Sequence, residues 1–148
     1  TELKKPLIAS LHGYVIGSGI EIAALCDIRI ASDDCKFRMP EVALGMIPAA
    51  GGTQTIARLV KTSNALDIIL TNRLIFSEQA RKIGLVDRVV AFSELTEKSE
   101  ELAKELSQMD LKIVAAAKRA VIEGSDLELK VGIQLERRMA HILESQKR

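Results

Sequence analysis

The sequence predicts an α/β fold, and three observations predict it. The run Leu7-Ile8-Ala9-Ser10-Leu11-His12 is apolar almost throughout and has the length of a strand. A glycine-bracketed turn then leads into an apolar helical segment, Gly17-Ser18-Gly19-Ile20-Glu21-Ile22-Ala23-Ala24-Leu25. From Thr53 onward, apolar residues recur at helical spacing to the end of the chain, interrupted by one further strand. Strands alternating with helices in this way argue for a mixed architecture.

The first run suits a strand covered on both faces, because it does not alternate between apolar and polar residues. At the turn that follows, the first backbone N–H groups of the helix lack intrahelical partners. The helix dipole adds partial positive charge there, which makes the turn an anion site. Glu21 lies just inside it, among Ile20, Ile22, Ala23, Ala24 and Leu25. A helix apolar nearly all round is buried, and burial of a carboxyl group is one way in which proteins prepare an acid or base. Glu21 is therefore a candidate proton-transfer group, against the plainer reading of a first-turn residue favoured by the dipole. Other glycine motifs do not fit. A dinucleotide fingerprint needs glycine where Ile22 stands, a phosphate loop needs a Gly-Lys-Ser/Thr that is absent, and a nucleophile elbow on Ser18 needs glycines where Ile16 and Ile20 stand.

Further on, Ile28-Arg29-Ile30-Ala31 reads as a short strand and Ser32-Asp33-Asp34 as a turn. Pro40 presets a helical turn, and Glu41 follows it among Val42, Ala43 and Leu44, again one carboxylate in apolar company. The loop from Pro48 to Gly52 exposes backbone between two apolar segments, as ligand-contacting loops do. Ile56, Leu59 and Val60 mark one helix face. Ala65, Ile68, Ile69 and Leu70 mark another, with Thr62-Ser63 expected as its cap. Ser77-Glu78 opens a short helix that Gly84 stops, and Leu85 to Val90 reads as a strand. Helices are expected at roughly 94–108, 110–124 and 126–145, apolar on one face and charged on the other. Such half-covered helices can pack on a neighbouring subunit.

Composition narrows the function classes. The chain has 148 residues, 47% of them hydrophobic, a net charge of +1 and no tryptophan. That describes one soluble domain long enough to bury a core. Balanced charge gives no electrostatic footprint for nucleic acid or an acidic membrane, and Lys118-Arg119 and Arg137-Arg138 read as solvated helix faces. No apolar run reaches membrane-spanning length, and no signal or transit segment opens the chain. The first residue is threonine, so a targeting segment removed before it stays open as an expectation. Cys26 and Cys35 show neither metal-ligand spacing nor a disulfide framework and read as reduced, intracellular cysteines. With only His12 and His141 besides, no histidine or thiolate metal site is expected.

Several stretches together resemble the crotonase superfamily, the enoyl-CoA hydratase and isomerase proteins. They are Lys5 to Ala9, His12 to Ala23, Cys26 to Ala31, Phe37 to Gln54, Leu70 to Arg73, Ser77 to Ala80 and Gly84 to Val86, in the family's order over essentially the whole chain. The resemblance implies a spiral of strand-strand-helix (ββα) units over residues 1–92, then an incomplete helical oligomerisation region over 93–148, used for trimers that often pair into hexamers. It implies that Glu21 and Glu41 hold a water molecule, with Glu41 donating to the α carbon and Glu21 orienting and activating water. Ser18 would supply one oxyanion-hole N–H, with the other donor before residue 1, and the Ala49 N–H would help position the water. Isomerases of the family frequently keep only the second glutamate, so two favour a hydratase.

The implied function is hydration of a 2-enoyl-CoA, with no metal and no redox cofactor, coenzyme A being part of the substrate. An enoyl-CoA isomerase and an inactive, truncated partner are the alternatives. A cytoplasmic location, or the mitochondrial matrix, is expected. Three departures stand out: Ser18 and Ala49 occupy positions that are often glycine, and Thr55 stands where arginine often follows the Gly-Gly-Thr-Gln run. The chain corresponds to the C-terminal part of a family member, so a homo-oligomer, or a chain supplying the N-terminal half, is the expected partner.

Overall fold

The computed structural model describes residues 3–145. The chain opens with β1 (Ile8–Leu11), reverses at His12 and Gly13, forms β2 (Tyr14–Ile16) and enters α1 (Ser18–Ala24). The sequence predicts one strand before the glycine turn; the structure places two. Only Val15 of β2 is buried, between exposed Tyr14 and Ile16, and three residues are too few for alternation to register as a period.

β3 (Ile28–Ser32) and β4 (Lys36–Arg38) repeat the arrangement. β1 pairs in parallel with β3, Ile8 opposite Ile28, and β2 pairs in parallel with β4, Tyr14 opposite Lys36. Successive strand pairs therefore stack, first strand on first and second on second. One sheet has the order β1-β3-β6 and the other β2-β4-β5, the last pair antiparallel. This is the spiral of strand-strand-helix units that the resemblance implies.

After β4 comes a 3-10 turn over Val42–Leu44 with Glu41 as its N-cap, a tighter form of the helical turn expected at Pro40. α2 (Gly52–Val60) and α3 (Thr62–Thr71) follow, joined only by Lys61 at φ 69°. That single residue closes one helix and opens the next. Thr62 and Ser63 are thus the first helical residues, and α3 has no side-chain cap. β5 (Ile75–Phe76) is too short to be read from sequence. α4 (Ser77–Ile83) ends at Gly84, φ 85°, as the sequence predicts. β6 covers Arg88–Val90 only, because Leu85 and Val86 turn into the core instead of joining the sheet.

The core gathers Val15 and Ile20, Phe37 and Met39, Ile56 and Val60, Ala65 and Ile68, with Ile75, Ala80 and Leu85. α1 departs from its expected complete burial. Ile20, Glu21 and Ala23 are buried, but Ile22 is 64% and Leu25 44% exposed.

Leu7–Leu102 forms one compact unit around this core. Among the described residues, a second unit joins the segment that ends at Pro6 to the segment that begins at Ala103. α5 (Leu95–Ser107) buries Leu95 and Leu102, whereas α6 (Leu111–Ser125) and α7 (Leu129–Ser145) bury no residue. α6 begins at Asp110, whose Oδ1 accepts the Lys112 N–H at 2.8 Å. α6 and α7 approach closely at Gly124 and Gly132, where a Cβ on Gly132 would lie 3.2 Å from the Gly124 carbonyl oxygen. Among the described residues, no helix is long and apolar enough to cross a membrane.

Candidate active site

Sheet register carries Glu41 to the start of α1. Ile16 lies opposite Arg38, and the next N–H, that of Gly17, donates to the Arg38 carbonyl at 2.9 Å. The end of β4 is thereby fastened to the turn that opens α1. Glu41 follows Arg38 by one turn of chain, and its Oε1 sits against Gly17, only 2.7 Å from where a Cβ on that glycine would be. Its other oxygen, Oε2, is buried without a hydrogen-bond partner among the described residues.

Glu21 reaches its position from the other side, four residues along α1 from Gly17. It is 3% exposed, and its Oε1 accepts the N–H of Ala50 at 2.9 Å and that of Gly52 at 2.8 Å. Gly52 is the first residue of α2, so the carboxylate occupies a helix N-terminus, where N–H groups lack intrahelical partners and the dipole is positive. Hydrogen bonds to a charged acceptor stabilise by roughly 1.5–3 kcal/mol each. The fit also requires a bare Cα at Gly52. A Cβ there would lie 2.8 Å from Glu21 Oε1 and 3.0 Å from Pro48 Cβ.

Ser18 is the first residue of α1 and is exposed. The N–H groups of Ile20 and Glu21 both turn back to the Gly17 carbonyl, at 2.9 and 3.2 Å. Those of Ser18 and Gly19 come earlier and have no acceptor within the helix. The positive φ of the turn, 52°, belongs to Gly17 and not to Ser18, so serine in the middle position introduces no backbone strain. Ala49 is exposed in the loop before α2, and the N–H that holds Glu21 is that of the next residue, Ala50. Thr55, in place of the family's frequent arginine, donates its hydroxyl to the Gly51 carbonyl at 3.1 Å and steadies the same loop.

Ala50, Gly52 and Gly17 did not stand out individually in the sequence as partners of the carboxylates. The one available signal was the Gly51-Gly52 pair at a helix start, a common anion-binding arrangement. Elsewhere, Cys35 is buried, and burial, with a smaller push from the Asp34 charge, raises its thiol to about 12. It is no nucleophile at neutral pH. His12 packs edge-on against Phe92, ring centroids 5.8 Å apart. Among the described residues, no three His, Cys, Asp or Glu side chains cluster as metal ligands would.

The whole chain, residues 1–148, matches the sequence model of the family described as Enoyl-CoA hydratase/isomerase. The probable mitochondrial enoyl-CoA hydratase of Dictyostelium discoideum is 40% identical over 141 residues, which are 95% of this chain and 51% of that protein. The solved enoyl-CoA hydratase of Bacillus anthracis superposes with a TM-score of 0.92 at 35% identity, over 95% of this chain and 54% of that one. A Thermobifida fusca YX protein described as an enoyl-CoA hydratase, solved in complex with acetoacetyl-CoA, superposes with a TM-score of 0.88 at 32% identity, over 94% of this chain and 55% of that one. The chain thus spans about half the length of these proteins. With the family model matched from end to end and the fold superposing closely on a solved hydratase, the chain belongs to the enoyl-CoA hydratase/isomerase family of the crotonase superfamily.

Proposed function

We propose that this chain carries the two proton-transfer carboxylates of a hydratase that adds water across the double bond of a 2-enoyl-CoA. The observation that carries this reading is the contrast between them. Glu21 is tied down by two backbone N–H groups, while Glu41 keeps a buried oxygen that no group among the described residues satisfies. A buried, unpartnered carboxylate oxygen is costly unless something it serves takes up the place. Water or the reacting carbon is that partner in this account.

In the addition, the water oxygen bonds to the β carbon and one of its protons passes to a carboxylate. The electron pair of the double bond moves toward the thioester, whose oxygen becomes an enolate. A proton from a carboxylic acid then reaches the α carbon. Glu21 orients and activates water, and Glu41 delivers the proton to carbon. The Ser18 N–H, unpaired within its helix, faces the enolate oxygen, and the Ala49 N–H helps hold the water. A positioned oxyanion donor is worth on the order of a hundredfold or more in rate, and general acid–base assistance roughly a hundred- to ten-thousandfold. The reaction balances with water and carboxylates alone, and coenzyme A enters as part of the substrate.

The relatives' greater length supports a second donor and much of the coenzyme A contact lying outside residues 1–148, supplied by the rest of the protein or by a partner chain. Exposed apolar side chains fit assembly with such a partner or with copies of the chain: Ile22 is 64%, Ile47 73% and Leu129 80% exposed.

The test compares Glu21→Gln with Glu41→Gln in the assembly that contains this chain. Loss of 2-enoyl-CoA hydration in both supports the reading. Loss of double-bond migration in Glu41→Gln alone, with no hydration by the unaltered protein, assigns it to the isomerases instead. Acyl-CoA binding without either turnover assigns it to an inactive partner.

A further inference from the structure

We infer that Gly17 is a positioning residue for Glu41, its bare α carbon forming the wall against which that carboxylate is set. The inference rests on the proposed role of Glu41 and adds to it the feature that fixes where the carboxylate stands. Three observations carry it. First, a Cβ on Gly17 would lie 2.7 Å from Glu41 Oε1, against 3.6 Å from Glu41 Cδ and 3.8 Å from Pro40 Cδ. The space is closed by the carboxylate tip itself and not by backbone. Second, Gly17 adopts φ 52° and ψ −118°, outside the regions L-residues favour, and its N–H holds the Arg38 carbonyl at 2.9 Å. The turn is therefore locked to the strand that leads into Glu41. Third, Oε2 of Glu41 has no hydrogen-bond partner among the described residues, whereas Glu21 has two N–H donors on Oε1. Glu21 is placed by hydrogen bonds and Glu41 by contact.

A methyl group at Gly17 meets the far end of a flexible side chain. The side chain yields by rotation, and the carboxylate leaves its place. Displacing a reacting group by about an ångström can cost on the order of a hundredfold in rate. The loss therefore falls on kcat and depends on Glu41 being a carboxylate.

The experiment is a double-mutant cycle in the assembly that contains this chain, with Gly17→Ala, Glu41→Gln and the double variant. It is read by kcat and KM for a short 2-enoyl-CoA, alongside the ¹³C carboxyl resonances of Glu41 and Glu21. Expected is a kcat loss of roughly a hundredfold in Gly17→Ala, about twofold or less further loss when it is added to Glu41→Gln, and a shift of the Glu41 resonance with that of Glu21 unmoved. Equal factors in both backgrounds, or an unmoved Glu41 resonance, would overturn the assignment. Gly17→Asn carries the same Cβ on a residue type that accepts positive φ more readily, and it keeps the test decisive if the alanine variant does not fold. The resonance needs no turnover. A protein without hydratase activity would therefore overturn the functional reading alone, while a shifted Glu41 signal would still support the seat at Gly17.

Discussion

The carboxylate of Glu21 caps the helix that begins at Gly52, accepting that residue's N–H at 2.8 Å across 31 positions of sequence. One charged side chain on α1 thereby completes the N-terminus of α2. Structure and proposed chemistry coincide at Glu21, whereas Glu41 bears little structural duty. That difference separates the expected effects of altering each.

Glu21→Ala leaves the N–H groups of Ala50 and Gly52 without their acceptor, and the unfolding free energy should fall by roughly 2–4 kcal/mol. Glu21→Gln retains a carbonyl oxygen able to take the same place and should lose less than about half as much. Urea unfolding of the two variants distinguishes them. Equal losses would mean that the Oε1 contacts contribute nothing particular.

Gly52→Ala should be destabilising by about 1–3 kcal/mol through overpacking. Its Cβ would meet Glu21 Cγ at 2.9 Å as well as Oε1 at 2.8 Å, so rotating the carboxylate tip does not relieve it. A lowered thermal midpoint checks this, and an unchanged midpoint would contradict it.

Asp87→Asn should cost about 2 kcal/mol. Arg29 is buried, and its guanidinium reaches Asp87 at 2.9 Å and the Cys26 carbonyl at 2.7 Å. The Arg29 N–H also donates to Asp87 Oδ2 at 2.7 Å. Removing one charge of a buried pair costs roughly 3–5 kcal/mol and of an exposed pair about 0–1. Asp87 is 39% exposed, which puts the expectation between the two. Denaturant titration at neutral pH reads it directly.

Cys35 should make the fold sensitive to alkali. Its thiol is raised from 9.0 to about 12, by burial first and by Asp34 second. Between those values the unfolded chain has released the proton and the folded chain has not, so unfolding is favoured as pH rises. The contribution of Cys35 is whole below pH 9.0 and is lost as pH climbs toward about 12. The difference in stability between the unaltered chain and Cys35→Ala should shrink across that window. A constant difference would refute the assignment to this thiol.

Part of the site was legible because single carboxylates in apolar company are unusual enough to show in the sequence. Glu21 and Glu41 both stood out that way, and the structure sets the Glu21 carboxylate at the N-terminus of α2 and that of Glu41 against Gly17 at the start of α1. What holds Glu21 was not legible, since every residue but proline carries a backbone N–H and nothing in a side chain marks Ala50 or Gly52 as donors. The strand β1 and the stop at Gly84 were readable from an apolar run and from a left-handed glycine, but β1 is not covered on both faces as its composition suggests: Ser10 is exposed and Ile8, Ala9 and Leu11 are half-buried. β2 and β5 were not readable, at three and two residues. Thr62-Ser63 looked like a cap from residue type alone, but the one-residue hinge at Lys61 leaves no position for one.

The most direct test of the central claim follows the loss of enoyl-thioester absorbance when a short 2-enoyl-CoA meets the assembly containing this chain, beside its Glu41→Gln variant. Rapid loss in the unaltered protein, slowed roughly a hundred- to ten-thousandfold by the substitution, is the predicted result. Binding of the acyl-CoA with no loss of absorbance, or loss that the Glu41→Gln variant leaves unchanged, would contradict it.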